Sequence, residues 1–192
     1  MECFSKINNL NSVMSLEHLK VQTENWKAMK FWHSYRDFPP KPRLNLAIIT
    51  CMDSRLISDI FGLNVGDALV IRNAGNRITA DTLRSLLLGV YELGVRRILI
   101  CGHTSCGTIL TEKRAEEIFH KVSTESKIPT DVLIRNLNGK DSWSALGAID
   151  DVHENVRAGL EALQQSKMLP NSVELFGAVY HVETGETEFL GG

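Results

Sequence analysis

Nine residues, IITCMDSRL (48–56), decide the interpretation of this sequence. They close an apolar run, LNLAIIT (44–50), with a cysteine, an aspartate and an arginine at alternate positions, Cys51, Asp53 and Arg55. The run is short and rich in leucine and isoleucine, which is typical of a strand covered on both faces of a parallel sheet. Because functional groups of open α/β sheets gather beyond the carboxyl ends of the strands, this stretch predicts a site at that edge.

Two further apolar runs repeat the strand signal, DALVIRN (67–73) and RRILICG (96–102). Between them, TADTLRSLLLGVYELG (79–94) has leucines at helical spacing, with Thr79 or Asp81 as its N-cap. Strand, helix and strand in this order predict a βαβ unit with a right-handed crossover.

The remaining sequence predicts two more helices and a final pair of strands. The helices are expected at 108–122 and 145–166, with polar, irregular chain over 124–145. The strands SVELFGAVYHV (172–182) and TEFL (187–190) flank the turn ETGE. The predicted fold class is α/β, with a mainly parallel central sheet flanked by helices and an antiparallel C-terminal edge strand.

The N-terminal segment 1–36 is predicted to be a helical arm. Apolar and aromatic residues recur in it among polar ones, namely Leu16, Leu19, Trp26, Met29, Phe31 and Trp32. The following DFPPKPR (37–43) cannot be helix interior, because its prolines remove donors and favour extended neighbours. We therefore predict an arm, which covers its own core or a partner subunit, and a single α/β domain over 37–192.

Charge and hydropathy exclude several classes of function. The 192 residues carry a net charge of -2, and the scattered lysines and arginines form no nucleic-acid footprint. No apolar run approaches the ~20 residues that cross a bilayer, and the N-terminus lacks the pattern of a secretory signal. We expect a cytoplasmic protein with neither nucleic-acid nor membrane partners.

The cysteines point to a metal. The chain has four, Cys3, Cys51, Cys101 and Cys106. In a cytosolic chain of this length, metal binding or catalysis is expected before a disulfide framework. The third strand ends in CGHTSCG (101–107), so Cys51, His103 and Cys106 converge if the first and third strands are neighbours. Thiolate and imidazole ligands suit zinc, and three protein ligands leave the open position of a catalytic site.

Each of these residues also has a structural interpretation. A cysteine at a strand end, taken alone, is more often a small buried hydrophobe, and a lone histidine is more often structural. Three ligand-type residues at two strand ends favour the metal. Cys101 has the same strand parity as His103 and could compete as a ligand, but we interpret it as core because it lies inside the apolar run. Cys3 is assigned no role.

Asp53 and Arg55 can approach whatever Cys51 binds, because alternate residues of an extended chain share a side. The structural alternative is a surface ion pair, which would contribute about 0–1 kcal/mol to stability. The functional interpretation is a carboxylate that orients a zinc-bound water, held ionised by the guanidinium. Because two thiolates offset the charge of zinc, the pKa of the bound water should stay above the value of ~7 that three-histidine zinc sites reach. Activity should therefore rise into alkaline pH.

Three motifs, in this order, resemble those of the β-class carbonic anhydrases: CMDSR (51–55), RNAGN (72–76) and GHTSCG (102–107). The βα pattern agrees from about residue 44 to the C-terminus. The resemblance implies reversible hydration of carbon dioxide to bicarbonate and a proton, by attack of zinc-bound hydroxide, with one Zn²⁺ per chain. It also implies a homodimer or higher even oligomer, with residues 1–36 in contact with the partner.

By position, the resemblance assigns individual roles. The zinc ligands are Cys51, His103 and Cys106, and the acid–arginine dyad is Asp53 and Arg55. The substrate cleft is lined by Asn73, Ala74, Gly75 and Gly107. The candidate proton shuttles are His33, His120, His153 and His181, and spacing favours none of them.

Two alternatives stay open. Relatives with the same zinc frame hydrolyse carbonyl sulfide or carbon disulfide, and the pocket shape that would distinguish these substrates cannot be read from sequence. The other alternative is a non-catalytic zinc-binding module, which needs a fourth protein ligand such as Cys101 or Asp53.

Overall fold

A computed structural model describes residues 15–30, 33, 36–56 and 58–190. The chain divides into two units, Met1–Phe38 and Pro39–Gly192. In the first unit, helix α1 (Leu16–Ala28) begins at Ser15, whose hydroxyl accepts a hydrogen bond from the backbone N–H of His18. None of the thirteen residues of α1 is buried. The rest of the predicted arm lies largely outside the described residues.

The second unit is built on one five-stranded sheet. Its strands are β1 (Leu46–Cys51), β2 (Ala68–Asn73), β3 (Arg97–His103), β4 (Glu174–Tyr180) and β5 (Thr187–Leu190). They are arranged in the order β2-β1-β3-β4-β5, parallel except for the antiparallel pair β4–β5. The predicted fold class is confirmed, and β1 and β3 are neighbours, as the predicted site requires.

Helices of the second unit connect and cover the strands. They are α2 (Ala80–Tyr91), α3 (Glu112–Ser126), α4 (Thr130–Asn136), α5 (Ser142–Ala145) and α6 (Val152–Gln165), with 3-10 turns at Ser58–Phe61 and Ala74–Asn76. Thr79, rather than Asp81, caps α2, because its hydroxyl accepts from the backbone N–H of Thr82. Within the described ranges, no helix is both long and apolar enough to cross a bilayer.

Two sequence predictions in this region are wrong. The stretch 124–145 is not irregular, since it contains α4 and α5, which pack against each other and against α3. These contacts stabilise short helices whose sequence signal is weak. Helix α6 begins at Val152 and not at residue 145, because Asp151 takes the N-cap position and its carboxylate accepts from the backbone N–H of Glu154 at 2.9 Å.

The two faces of the sheet differ in their cover. One face packs against α2 and α6, and its buried core consists of Ala47, Ile49, Leu86, Val90, Val95, Ile98, Ile100, Val152, Val156, Leu163 and Val179. The other face carries Ile48, Leu99, Cys101 and Ala178 and is covered in part by Phe61 and Leu63. Beside it lies an apolar groove of about 500 Å³, at which Phe176 and Phe189 are 43% and 67% exposed.

Candidate metal centre

Neighbouring parallel strands bring the three predicted ligands together. Cys51 is the last residue of β1, His103 is the last residue of β3, and Cys106 lies on the turn that follows. Because β1 and β3 pair in parallel, their carboxyl ends meet at one edge of the sheet. The donor atoms of the three residues all lie within 4.8 Å of one another, and all three side chains are buried.

The arrangement fits a tetrahedral metal ion. The two Sγ atoms are 3.8 Å apart, and a Zn–S distance of about 2.3 Å in a tetrahedron gives about the same separation. His103 Nδ1 lies 2.8 Å from the carbonyl oxygen of Thr104, to which it can donate. Its Nε2 is then a buried acceptor, and it has no hydrogen-bond partner among the described residues. A buried polar atom without a partner is costly, so the site is suited to a cation that takes this lone pair.

The thiols are electrostatically coupled. A hydrogen bond from Cys106 lowers the pKa of Cys51, and His103 and the backbone N–H groups of Gly75 and Asp53 lower it further. The same contact with Cys51 raises the pKa of Cys106, as does burial. One thiolate therefore forms readily and the second resists ionisation at 3.8 Å from the first. A divalent cation between them would remove that repulsion.

Asp53 is held beside this centre by Arg55. The guanidinium donates from Nε to Oδ1 at 2.9 Å and from Nη2 to Oδ2 at 2.7 Å, and the backbone N–H of Arg55 also donates to Oδ1. These hydrogen bonds hold the pKa of Asp53 well below its usual range, so the carboxyl is ionised at neutral pH. Its Oδ2 lies 3.9 Å from His103 Nε2. The carboxylate thus lies beside the position that a metal ion bound to His103 Nε2 would occupy.

The RNAGN segment lies against the thiols, but its members have different contacts. The side chain of Asn73 closes a turn, accepting from the N–H of Arg77 and donating to its carbonyl oxygen. Gly75 is buried with φ +70°, and a Cβ there would lie 2.8 Å from Thr108 Oγ1, so a glycine is required. Ala74 is half-buried. Gly107 is exposed, and a Cβ added there would have no atom within 4 Å.

Sequence reasoning missed three residues at the site. Arg72 donates to the carbonyl oxygens of Cys51 and Asp53 and so fixes the backbone of the CMD turn. Thr108 places its hydroxyl 3.0 Å from Cys106 Sγ. Glu183 accepts hydrogen bonds from the hydroxyls of Thr104 and Ser105, on the turn that leads to Cys106. The sequence offers a signal for two of them, since Arg72 begins the RNAGN motif and Thr108 follows Cys106 by two residues. It offers none for Glu183.

Cys101 lies apart from the metal group. It packs on the partly open face of the sheet with Ile48, Leu99 and Ala178. Burial raises its pKa to about 12. The interpretation of Cys101 as core is confirmed, and it does not supply a fourth ligand. Cys3 lies outside the described residues.

Comparison with known proteins agrees with this architecture. A family model described as carbonic anhydrase matches residues 46–187. Beta-carbonic anhydrase 1 of Mycobacterium tuberculosis is 32% identical over 149 residues, covering 77% of this chain and 83% of the relative. A carbon disulfide hydrolase of Acidithiobacillus thiooxidans is 31% identical over 179 residues, covering 87% and 88%. The crystal structure of a Streptococcus mutans carbonic anhydrase aligns with a TM-score of 0.75 at 30% identity, covering 94% of this chain and all of that one.

Proposed function

The chain belongs to the carbonic anhydrase family, and from this premise we propose that it catalyses the reversible hydration of carbon dioxide to bicarbonate and a proton. One observation carries the proposal. Two thiols and an imidazole nitrogen that has no hydrogen-bond partner among the described residues lie within 4.8 Å of one another at the ends of β1 and β3. They lie beside a carboxylate that a guanidinium keeps ionised.

We assign Cys51, His103 and Cys106 as the ligands of one zinc ion per chain. Soft sulfur and imidazole donors suit zinc, and the two thiolates balance its charge. A zinc ion held there lowers the pKa of water and so supplies a hydroxide nucleophile at neutral to alkaline pH. The hydroxyl of Thr108 near Cys106 and the N–H of Gly75 near Cys51 stabilise the thiolates.

Asp53 orients the nucleophile in this proposal. An ionised carboxylate can only accept a hydrogen bond, so Asp53 would accept one from the O–H group of the nucleophile and thereby fix its orientation. Arg55 fixes the angle of the carboxylate by its two parallel N–H···O bonds. Leu56 is buried against the two cysteines and gives the thiols an apolar surrounding.

Substitution of Asp53 tests this role. We expect Asp53→Asn to retain about one zinc per chain and to lose about 10²-fold or more in kcat for hydration, measured by stopped flow, because general acid–base and orienting groups contribute about 10²–10⁴-fold. Asp131→Asn is the matched control, since Asp131 is an exposed aspartate that accepts from an arginine, Arg135, on α4. Wild-type protein with full zinc and no hydration activity would refute the proposed reaction.

Hydrolysis of carbon disulfide or carbonyl sulfide is the second candidate function, favoured by the similarity to the Acidithiobacillus thiooxidans hydrolase. The same nucleophile, oriented by the same Asp53, would attack the carbon of either sulfur compound. We expect kcat/KM for carbon dioxide to exceed that for both sulfur substrates on one preparation of enzyme. The reverse ranking would make the sulfur compound the substrate, and Asp53→Asn should then slow its hydrolysis instead.

We propose a homodimer or a higher even oligomer that buries the groove beside Phe176 and Phe189. The support is the exposure of these rings on a face of the sheet that Phe61 and Leu63 cover only in part. We also propose that residues 1–36 form an arm that contacts the partner, because α1 buries none of its own residues. Light scattering should give at least twice the chain mass of 21.5 kDa. Phe189→Lys should lower that mass, and Leu88→Lys, on exposed α2 surface, should not.

We further propose a cytoplasmic location and small-molecule partners. Zinc binding requires reduced Cys51 and Cys106, and the cytoplasm keeps thiols reduced. The net charge of -2 offers no general attraction for nucleic acid. Fractionation of the native cells, followed by immunoblotting, tests the location, and recovery with membranes or outside the cell would contradict it.

A further inference from the structure

Glu183 follows β4 and lies against the turn between two of the proposed ligands. Its Oε2 accepts a hydrogen bond from Thr104 Oγ1 at 2.5 Å, and its Oε1 accepts one from Ser105 Oγ at 2.6 Å. Thr104 and Ser105 are the two residues between His103 and Cys106. One carboxylate therefore holds both intervening residues of the His-x-x-Cys turn.

The charge state of Glu183 suits this role. Hydrogen bonds from Ser105 and then from Thr104 lower the pKa of Glu183 to about 2. The carboxylate is therefore ionised at neutral pH. Hydrogen bonds to an ionised acceptor are shorter and stronger than neutral ones, in agreement with the two observed distances.

Further bonds connect the same two segments. The backbone N–H of Thr104 donates to the carbonyl oxygen of Tyr180, and the N–H of Val182 donates to Thr104 Oγ1, both at 3.0 Å. The hydroxyl of Thr104 thus accepts from Val182 while it donates to Glu183. Ser105 has φ +52°, a left-handed conformation that non-glycine residues adopt only where surrounding contacts enforce it. The bond from its hydroxyl to Glu183 is one such contact.

Ser105 also joins this turn to the dyad. Its carbonyl oxygen accepts a hydrogen bond from Arg55 Nη2 at 3.0 Å, and the same nitrogen donates to Asp53 Oδ2 at 2.7 Å. The side chain of Ser105 is therefore fixed by Glu183, and its main chain fixes Arg55. A displacement of Ser105 would therefore move the guanidinium of Arg55 and, through it, the carboxylate of Asp53.

We infer that Glu183 is a positioning residue, which fixes the Thr104–Ser105 turn and thereby the relative placement of His103 and Cys106 and the direction of Asp53. The inference deepens the proposed function and rests on it for the identity of the metal and the role of the dyad. Glu183 itself acts through other residues. The alternative is a residue that merely anchors the segment after β4, and such an anchor would change stability without changing the metal site.

Metal binding and spectroscopy separate these alternatives. The variants are Glu183→Ala, which removes both acceptors, and Glu183→Gln, which keeps one carbonyl acceptor. Glu186→Ala is the matched control, because it removes the same charge three residues further along the same exposed turn. Zinc affinity is measured by competition with a chelator. The visible absorption of the cobalt-substituted protein reports ligand geometry.

We expect Glu183→Ala to weaken zinc affinity about 10-fold or more, as is usual when a residue that orients metal ligands is removed, and Glu186→Ala to stay within about twofold of wild type. The cobalt bands should shift in Glu183→Ala, with Glu183→Gln between it and wild type. In hydration assays Glu183→Ala should lower kcat with little change in KM. Wild-type zinc affinity together with an unchanged cobalt spectrum in Glu183→Ala would overturn the inference.

A second variant guards against a failure to fold. Ser105→Ala removes one donor to Glu183 while it leaves the carboxylate and the Thr104 bonds in place. We expect a smaller loss of zinc affinity than in Glu183→Ala, and Ser105→Ala with wild-type affinity and spectrum would also overturn the inference. Neither readout requires hydration activity. Wild-type protein that binds zinc but does not hydrate carbon dioxide would therefore refute the proposed function and leave the inference on Glu183 standing.

Discussion

Replacement of Gly75 by alanine tests the packing around the thiols. A side chain at φ +70° costs about 1–2 kcal/mol of backbone strain. The new Cβ would also lie 2.8 Å from Thr108 Oγ1, which is closer than such atoms approach, and 3.4 Å from Thr108 Cβ, which is an ordinary contact. Because Thr108 is a short side chain that lies 3.0 Å from Cys106 Sγ, it cannot move without loss of contacts, and crowding of this kind costs about 1–3 kcal/mol more.

Gly62→Ala is the matched control for Gly75→Ala. Gly62 has φ +65° with no atom within 4 Å of an added Cβ, so an alanine there introduces backbone strain without a steric clash. We expect urea unfolding of the zinc-free proteins to place Gly75→Ala about 1–3 kcal/mol below Gly62→Ala in free energy of unfolding. In a Thr108→Ala background most of that difference should disappear. Equal losses in Gly75→Ala and Gly62→Ala would refute the close contact between Gly75 and Thr108.

Three further predictions concern stability and thiol reactivity. Asp67 accepts from Arg43, and the hydrogen bond lowers its pKa. Its stabilisation is therefore present above the unfolded value near ~3.9 and lost as pH falls through the folded one. In acid titrations followed by circular dichroism, wild type should lose its advantage over Asp67→Asn below about pH 4, and a constant difference would contradict this. Burial and a pKa of about 12 should protect Cys101 from iodoacetamide at alkaline pH until the protein unfolds, as peptide mass spectrometry would show. Asp151→Ala removes the cap that accepts from Glu154 N–H and should cost about 0.5–2 kcal/mol in urea unfolding, and no loss would argue against the cap.

The sequence predicts the sheet well because its two central strands β1 and β3 are buried on both faces. Such strands are short, apolar and rich in β-branched residues, so both runs are recognisable without knowledge of their neighbours. The run that becomes β2 carries the same apolar signal, although β2 is an edge strand with no buried residue. The carboxyl ends of β1 and β3 carry Cys51 and His103. The convergence of these two residues follows once β1 and β3 pair, and the structure shows that pairing.

Features that depend on tertiary contacts are less accessible to sequence reasoning. Helices α4 and α5 are only seven and four residues long, which is too short to show an apolar period, so their contacts with α3 are not evident from the sequence. The bond between Glu183 and Ser105 joins residues 78 positions apart. The start of α6 is different, because Asp151 followed three residues later by Glu154 is a capping pattern that is recognisable in the sequence itself.

The central claim is that Cys51, His103 and Cys106 form a catalytic zinc site, and its most direct test compares two buried cysteines. Zinc content and the initial rate of carbon dioxide hydration are measured for Cys106→Ala and for Cys101→Ala, which removes a buried thiol outside the metal group. We predict that Cys106→Ala loses both zinc and hydration, whereas Cys101→Ala keeps both. Hydration that survives Cys106→Ala with full zinc would contradict the account.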